Sequence, residues 1–474
     1  MELTISGSGF EAIRKEGLLY VDKTETIFRM IESHRMCFIA RPHLFGRGLL
    51  HSTLESLFSR GTEMFKGLAI ENLWKDRTYK VLRFGFGGIR CDTAENFRKS
   101  ALGALWARTS GDFIDESSSP EDFQDIASLM HEIVRRAAPG SIVLLISGYD
   151  RSLNKCLNNP ELFREISSSI NDFFSEIEKG SSVFRFVLVT GVSRFKDQVL
   201  GSGHLIDDLS LDPEYAALLG FTEEEIRKYF GKYLREAASS VLGVSPDDVT
   251  ENHVDLIMDS LRRYYGGFCF DREGKVRVYQ PWSAMLFLRP DGRYCFSDYW
   301  FGQCDISPLP ELQTRLIEES LEGKDGRLSA DWNDFTVSPD PESVPGALSF
   351  LTQFGFFTIK GTDEQGFSAG LTNLEMRMDW ARILVLGIMR DLNTDRVTAV
   401  TRSENALSRP DATAKDISSS FSQILNALSG GRIETEEEAC RLLTIYCTGS
   451  GFDMRPHEAG NGRCPGSSVN SLTA

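Results

Sequence analysis

The sequence predicts an α/β fold: a parallel sheet flanked by helices, followed by a mostly helical lid and a smaller C-terminal part. Short β-rich apolar runs alternate with longer helical stretches through the first 220 residues, the order expected of repeated βα units. Three of the four runs are nearly unbroken, as strands covered by helices on both faces are. After about residue 220 the pattern turns to helices alone.

The candidate strands are Met36 to Ala40, Tyr79 to Phe86, Ser141 to Ile146 and Phe184 to Thr190, the second being the more mixed. Leu49, Leu50, Leu54, Leu57 and Phe58 recur at helical spacing, as do Phe163, Ile166, Ile170, Phe173 and Phe174, and both sets read as core faces. Thr222 followed by Glu225 has capping-box spacing, and Ile226, Tyr229, Phe230 and Leu234 continue it as an apolar stripe. Pro339 to Pro345 reads as a linker, Leu348 to Ile359 as a compact apolar stretch, and Met378 to Leu392 as a helix. A Ser-, Asn- and Asp-rich segment at 393–420 precedes one last helical piece. Beyond Thr448 no apolar period remains, so the tail is expected to be disordered. The expected domains are 1–220, 221–337, 346–400 and 401–474.

Of the 474 residues, 41% are apolar and 11% aromatic, which supports packed cores and excludes a fibrous or wholly disordered chain. A net charge of -16 disfavours a nucleic-acid coat or an anionic membrane as partner. Residues 1–90 nevertheless hold 14 basic against 10 acidic residues, which points an anion site toward the N-terminus. The nine cysteines are scattered without a C-x-x-C pair, so neither a disulfide framework nor a zinc knuckle is indicated, and a reducing compartment is expected. With no secretory leader and no long apolar window, the sequence reads as a soluble cytoplasmic protein.

The strand at 36–40, the loop Arg41-Pro42-His43-Leu44-Phe45-Gly46 and the helix starting near Arg47 have the pattern of a phosphate-binding loop. Such a loop aims backbone N–H groups and a helix dipole at one point. A Lys and then a Ser or Thr normally follow the last Gly, to hold phosphates and Mg²⁺. Here those positions are Arg47 and Gly48.

Ordered blocks around this loop carry a family resemblance. They are Phe10-Glu11-Ala12-Ile13-Arg14 with Tyr20-Val21-Asp22-Lys23-Thr24; Arg41-Pro42 and Phe45-Gly46; Thr53-Leu54-Glu55; Thr190-Gly191-Val192-Ser193-Arg194-Phe195; Leu211-Asp212-Pro213-Glu214-Tyr215; Gly220-Phe221-Thr222-Glu223-Glu224-Glu225; Tyr265-Gly266-Gly267-Phe268; and Tyr299-Trp300-Phe301. Over roughly residues 1 to 400 the chain resembles the AAA-ATPase-like family, which often carries a C-terminal PD-(D/E)XK nuclease domain. The resemblance implies a P-loop NTPase core followed by a helical lid.

It also implies losses. The family's R-P-R-R-F-G-K-S loses its Lys and its hydroxyl at Arg47 and Gly48, which makes the Walker A motif degenerate. Its I-D-E-Y-D, where the Asp supports Mg²⁺ and the Glu polarises water, is Ile146-Ser147-Gly148-Tyr149-Asp150, a degenerate Walker B. Its S-G-L-N-N-L is Ser202-Gly203-His204-Leu205-Ile206-Asp207. At the C-terminus, Glu458, Gly460, Gly462 and Arg463 fit the nuclease opening loosely, and no Asp, Glu or Lys follows Glu458, so a truncated nuclease remnant without activity is expected.

Two readings stay open at several positions. Arg47 is a phosphate contact or a loop salt bridge, since guanidinium binds phosphate but does not replace a Lys point charge. Arg194 is a polar sensor facing a γ-phosphate or the partner of an acidic neighbour. Asp150 is a helix cap or a metal ligand. His43, His51 and His131 read as solvated or structural, and Tyr264 to Phe268 as lid core. The candidate cofactor-binding residues are Arg41, Phe45, Gly46, Arg47, Gly48, Asp150 and Arg194, with ATP held weakly, Mg²⁺ not expected, and no catalytic residue or metal ligand assigned. The leading expectation is a non-hydrolysing binding or regulatory module with an unidentified protein partner. The rivals are an ATPase using Arg47 with an acid from elsewhere, and an eroding gene copy without function.

Overall fold

The computed structural model describes residues 9–115, 117–157, 159–195, 200, 205–289, 294–303, 327–335, 347–390, 413–429, 435, 440, 443, 446, 453–455 and 468–470. The readings at Pro339 to Pro345, Ser202 to His204 and Glu458 to Arg463 lie outside the described residues, as does most of 393–420. The chain divides into two compact units, residues 1–304 with 322–373, and residues 305–321 with 374–474.

Five strands build the sheet of the first unit: β1 (Met36–Ala40), β2 (Lys80–Gly85), β3 (Ile142–Ser147), β4 (Phe184–Gly191) and β5 (Asp207–Asp208), in the order β2-β3-β4-β1-β5. Every pairing is parallel. The expected strands are present to within a residue or two. The two-residue β5 is an addition that no apolar run announces. Cys37, Phe38 and Ile39 of β1 and the whole of Ile142–Ile146 are buried, as a sheet covered on both faces requires.

The helices of this unit are α1 (Phe10–Lys15), α2 (Thr24–Ser33), α3 (Arg47–Arg60), α4 (Ala94–Thr109), α5 (Ile126–Arg136), α6 (Arg151–Lys155), α7 (Pro160–Lys179), α8 (Glu223–Leu242), α9 (Glu251–Tyr265), α10 (Pro281–Leu288) and α11 (Ala347–Phe354). One core joins Phe97 and Leu105 of α4, Leu129 and Ile133 of α5, and Phe163, Ile166, Ile170 and Phe173 of α7 to Leu82, Phe84, Leu144, Ile146, Val187 and Val189 of the sheet. On α3 the Leu54, Leu57 and Phe58 stripe is buried, with Phe58 stacked on Phe186 of β4 at 5.7 Å. Periodicity thus chose the inward faces correctly.

The helices after residue 220 start at the capping box. The Thr222 hydroxyl accepts from Glu225 N at 3.2 Å, and Thr222 N donates to the Glu225 carboxylate at 2.8 Å. Ile226, Phe230 and Leu234 of α8 pack with Val254, Ile257 and Leu261 of α9. Leu348 to Ile359 resolves into α11 and a strand, β7 (Phe357–Thr362). With β6 (Arg327–Asp331) and β8 (Gly366–Leu371) it forms an antiparallel sheet ordered β6-β8-β7. The second unit holds α12 (Leu374–Arg390) and α13 (Ala414–Ser429). Within the tail read as disordered, β9 (Asp453–Arg455) and β10 (Ser468–Asn470) pair antiparallel. Among the described residues no helix is long and apolar enough to cross a membrane.

Phe173 is fully buried and meets Phe84, Phe86 and Phe174 at ring-centroid distances of 5.9, 6.3 and 5.5 Å. Phe173→Ala is expected to lower unfolding stability by about 3–5 kcal/mol, measured as the shift of a urea unfolding curve.

Candidate functional site at the carboxyl edge of the sheet

The loop after β1 turns through two left-handed residues, Leu44 at φ 66° and Gly46 at φ 85°, and α3 starts directly after the second. No side chain caps α3, and its first backbone bond runs from Leu50 N to Gly46 O at 3.0 Å. The N–H groups of Arg47, Gly48 and Leu49 therefore precede the helical ladder, at the positive end of the helix dipole. Gly48 is exposed, and a Cβ there would meet nothing within 4 Å. Arg47 is half-buried at the helix start.

Arg41 and Phe45 face the other way. The buried Arg41 guanidinium donates to Ala40 O at 2.8 Å, Ser210 O at 2.7 Å and Tyr215 O at 3.0 Å, and lies 4.3 Å from the centre of the Phe270 ring. Burial pushes its pKa down to about 9, with Asp208 opposing, so it stays charged at neutral pH. Its place in the fold is to tie the loop to the segment after β5. Phe45 sits edge-on to Phe268 and Phe270 at 4.9 and 5.2 Å. Pro42 approaches Gly355 so closely that a Cβ on Gly355 would be 3.0 Å from its ring carbons. Aromatic side chains thus pack beneath the inward residues of the loop.

At the end of β3, Ser147 is followed by Gly148 at φ 63°, whose N–H donates to Thr190 O at 2.7 Å. A side chain at 148 would be strained by that backbone. The Ser147 hydroxyl fills the space beside Gly85, 2.8 Å from where a Cβ on Gly85 would stand. Asp150 occupies the N-cap position of α6 but makes no capping bond. Its buried Oδ2 instead accepts from Val192 N at 2.9 Å, Ser193 N at 2.7 Å and Asn154 Nδ2 at 3.0 Å. The helix-cap reading is corrected accordingly: the carboxylate bridges from β3 to the chain leaving β4. Tyr149 supports the same bridge, its hydroxyl donating to Ser193 O at 2.8 Å and accepting from Phe195 N at 3.1 Å. Gly191 permits it, since a Cβ there would stand 2.7 Å from the Tyr149 ring and 2.8 Å from Asp150 Oδ1.

Arg194 pairs with Asp208 at 2.5 Å and lies 5.3 Å from the Phe335 ring centre, while its N–H donates to Gln353. It borders a cleft of about 310 Å³ with Asp208, Arg272 and Trp332. The acidic neighbour that the sequence allows for is Asp208. The structure therefore brings all seven candidates to the carboxyl edge of one sheet, with Arg41 N bonded to Gly191 O at 3.0 Å across β1 and β4. Only Arg47, Gly48 and the turn at Gly46 belong to the helix start itself.

Sequence reasoning passed over the role of His51. It is fully buried on the α3 face shared with Leu54 and Phe58, its Nε2 lies 2.8 Å from Thr190 Oγ1, and its Nδ1 has no protein partner. The signal was its place three residues before Leu54 on the apolar stripe. Burial first, then Arg83 and Arg47, push its pKa from 6.5 to about 3, so it is neutral in the folded protein. His131 lies 2.8 Å from Glu176 at the surface, and the His43 ring lies 6.2 Å from Phe354.

A parallel sheet whose β1 ends in a left-handed Gly and an uncapped helix is the setting of a phosphate loop. Residues 4–200 match the family model AAA-ATPase_like, described as Predicted AAA-ATPase. This region belongs to the AAA-ATPase-like family. The chain is also similar to an "Uncharacterized protein in vnfD 5'region" of Azotobacter chroococcum mcd 1, 29% identical over 400 residues, covering 81% of this chain and 70% of that protein.

Two outcomes are expected from these contacts. Asp150→Ala strands the Val192 and Ser193 N–H groups and should cost about 2 kcal/mol or more in chemical unfolding, whereas Asp150→Asn, which keeps one acceptor, should cost less. His51 has a depressed folded pKa, so the unfolded chain takes up its proton first as pH falls. The stability His51 contributes is complete above pH 6.5 and is lost between there and about pH 3. His51→Gln should flatten the fall of stability with acid in that window, read from unfolding curves at stepped pH.

Proposed function

We propose that this chain is a non-hydrolysing AAA-ATPase-like binding or regulatory module, in which the start of α3 and Arg47 contact the phosphates of a nucleotide weakly and without Mg²⁺. The observation that carries this reading is the commitment of Asp150. Of Ser147, Gly148 and Asp150 at the end of β3, only Asp150 bears a carboxylate, and it is buried among three donors turned toward β4. Ser147 is a weak neutral ligand, Gly148 cannot orient water, and Gly48 has no hydroxyl for a metal. The left-handed backbone at Gly148 adds that a Glu at this place would not sit without strain. The uncapped N-terminus of α3 favours an anion whatever side chains surround it.

The test combines calorimetric titration with ATP, with and without Mg²⁺, and a turnover assay. Turnover below about 1 per minute is expected, against roughly 1–1,000 per second for ordinary enzymes. Turnover above that rate that disappears in Arg47→Ala would establish the rival ATPase instead. The triple variant Arg47→Lys, Gly48→Ser and Ser147→Asp should bind Mg²⁺-ATP at least about tenfold more tightly than the parent. Adding Gly148→Glu should lower stability by about 1–2 kcal/mol, because the residue is held at positive φ. A folded triple variant that titrates no better than the parent would show that the loop is not a phosphate cradle.

A further inference from the structure

We propose that Cys91 and Cys156 are an oxidisable dithiol, a modification site at which a hydroperoxide closes a disulfide between the β2–α4 loop and the end of α6. The two residues are 65 apart in sequence, yet the Cys156 thiol donates to the Cys91 carbonyl oxygen at 3.5 Å, and each thiol lies close enough to shift the other's titration. The same loop also meets the side chain of Arg151 of α6, whose Nη1 lies 2.8 Å from where a Cβ on Gly87 would stand. Closing the bridge brings the two sulfurs to a bond length of about 2.05 Å. The Cys37, Cys269 and Cys295 thiols also meet backbone carbonyls, but those of Val187, Asp271 and Phe296 and not of another cysteine.

The pair is asymmetric in the way such chemistry requires. Cys91 is half-buried, and its thiolate is favoured first by the neighbouring Cys156 thiol, then by Lys155 and Ser152, against burial and Asp92, so its pKa falls below the ordinary thiol value. Cys156 is buried and pushed up by Cys91 and then by burial, so it stays protonated. Cys91 is the attacking sulfur and Cys156 the resolving one. The Cys91 thiolate attacks one peroxide oxygen; the O–O bond breaks, a sulfenic acid forms, and the other oxygen leaves as hydroxide and is protonated to water. The Cys156 sulfur then attacks the Cys91 sulfur; the S–S bond forms, the S–O bond breaks, and the departing hydroxide leaves as water with the Cys156 proton. Two thiols are oxidised by two electrons and one hydrogen peroxide is reduced. Because α6 begins just after Asp150, the bridge would fasten the far end of the short helix that positions that carboxylate.

The full chain, treated with hydrogen peroxide, alkylated and digested, should yield a linked Cys91–Cys156 peptide that dithiothreitol separates, while Cys295 is alkylated. In Cys156→Ser the sulfenic acid on Cys91 should persist and be trapped by dimedone. Recovery of Cys91 free or over-oxidised, with no linked peptide from the parent protein, would overturn the proposal. A linked peptide accompanied by no dimedone adduct in folded Cys156→Ser would overturn the assignment of Cys91 as the attacking sulfur.

Discussion

The buried carboxylate of Asp150 holds the carboxyl edge of the sheet in place. Where β4 ends, the N–H groups of Val192 and Ser193 leave the strand inside the protein, and each would be costly without a partner. Asp150 serves both, and Asn154, itself bonded to Ser193 Oγ at 3.0 Å, fixes the carboxylate from the helix side. The arrangement needs Gly191 to be bare and Gly148 to take a left-handed turn. One acid thus determines the path of both chain segments leaving the central strands.

The loop after β1 divides along similar lines. Its inward residues are held by contacts within the protein: Arg41 by three carbonyls and Phe270, Phe45 by two aromatic rings, Pro42 by a bare glycine. These contacts fix the loop's shape without a ligand. The positions at the start of α3, Arg47 and Gly48, are where the family resemblance implies substitution. A loop braced from within can keep its turn while the residues that face a ligand change, because backbone N–H groups and the helix dipole do not depend on side-chain identity.

The buried histidine shows how closely the face of α3 is fitted to the sheet. His51 reaches Thr190 across the α3–β4 contact in a neutral state imposed by desolvation and by two arginines. Charging it means placing a cation in the core beside Arg47 and Arg83, so acid weakens the same packing that orients the start of α3.

The sequence by itself determined the order of βα units, the buried faces of α3 and α7, the capping box of α8 and the place of the phosphate-type loop. Those features rest on local periodicity and on residues adjacent in the chain. That Arg47 and Gly48, and not a Lys and a hydroxyl residue, follow Gly46 is equally visible, because these positions are contiguous. What Asp150, Arg41 and Arg194 touch was decided only in three dimensions. Asp150 meets N–H groups 42 and 43 residues away, Arg41 meets carbonyls 169 and 174 residues away, and Arg194 meets Asp208 on a strand too short to have a pattern. A side chain's partner depends on which segments the sheet brings together, and no spacing along the chain encodes that.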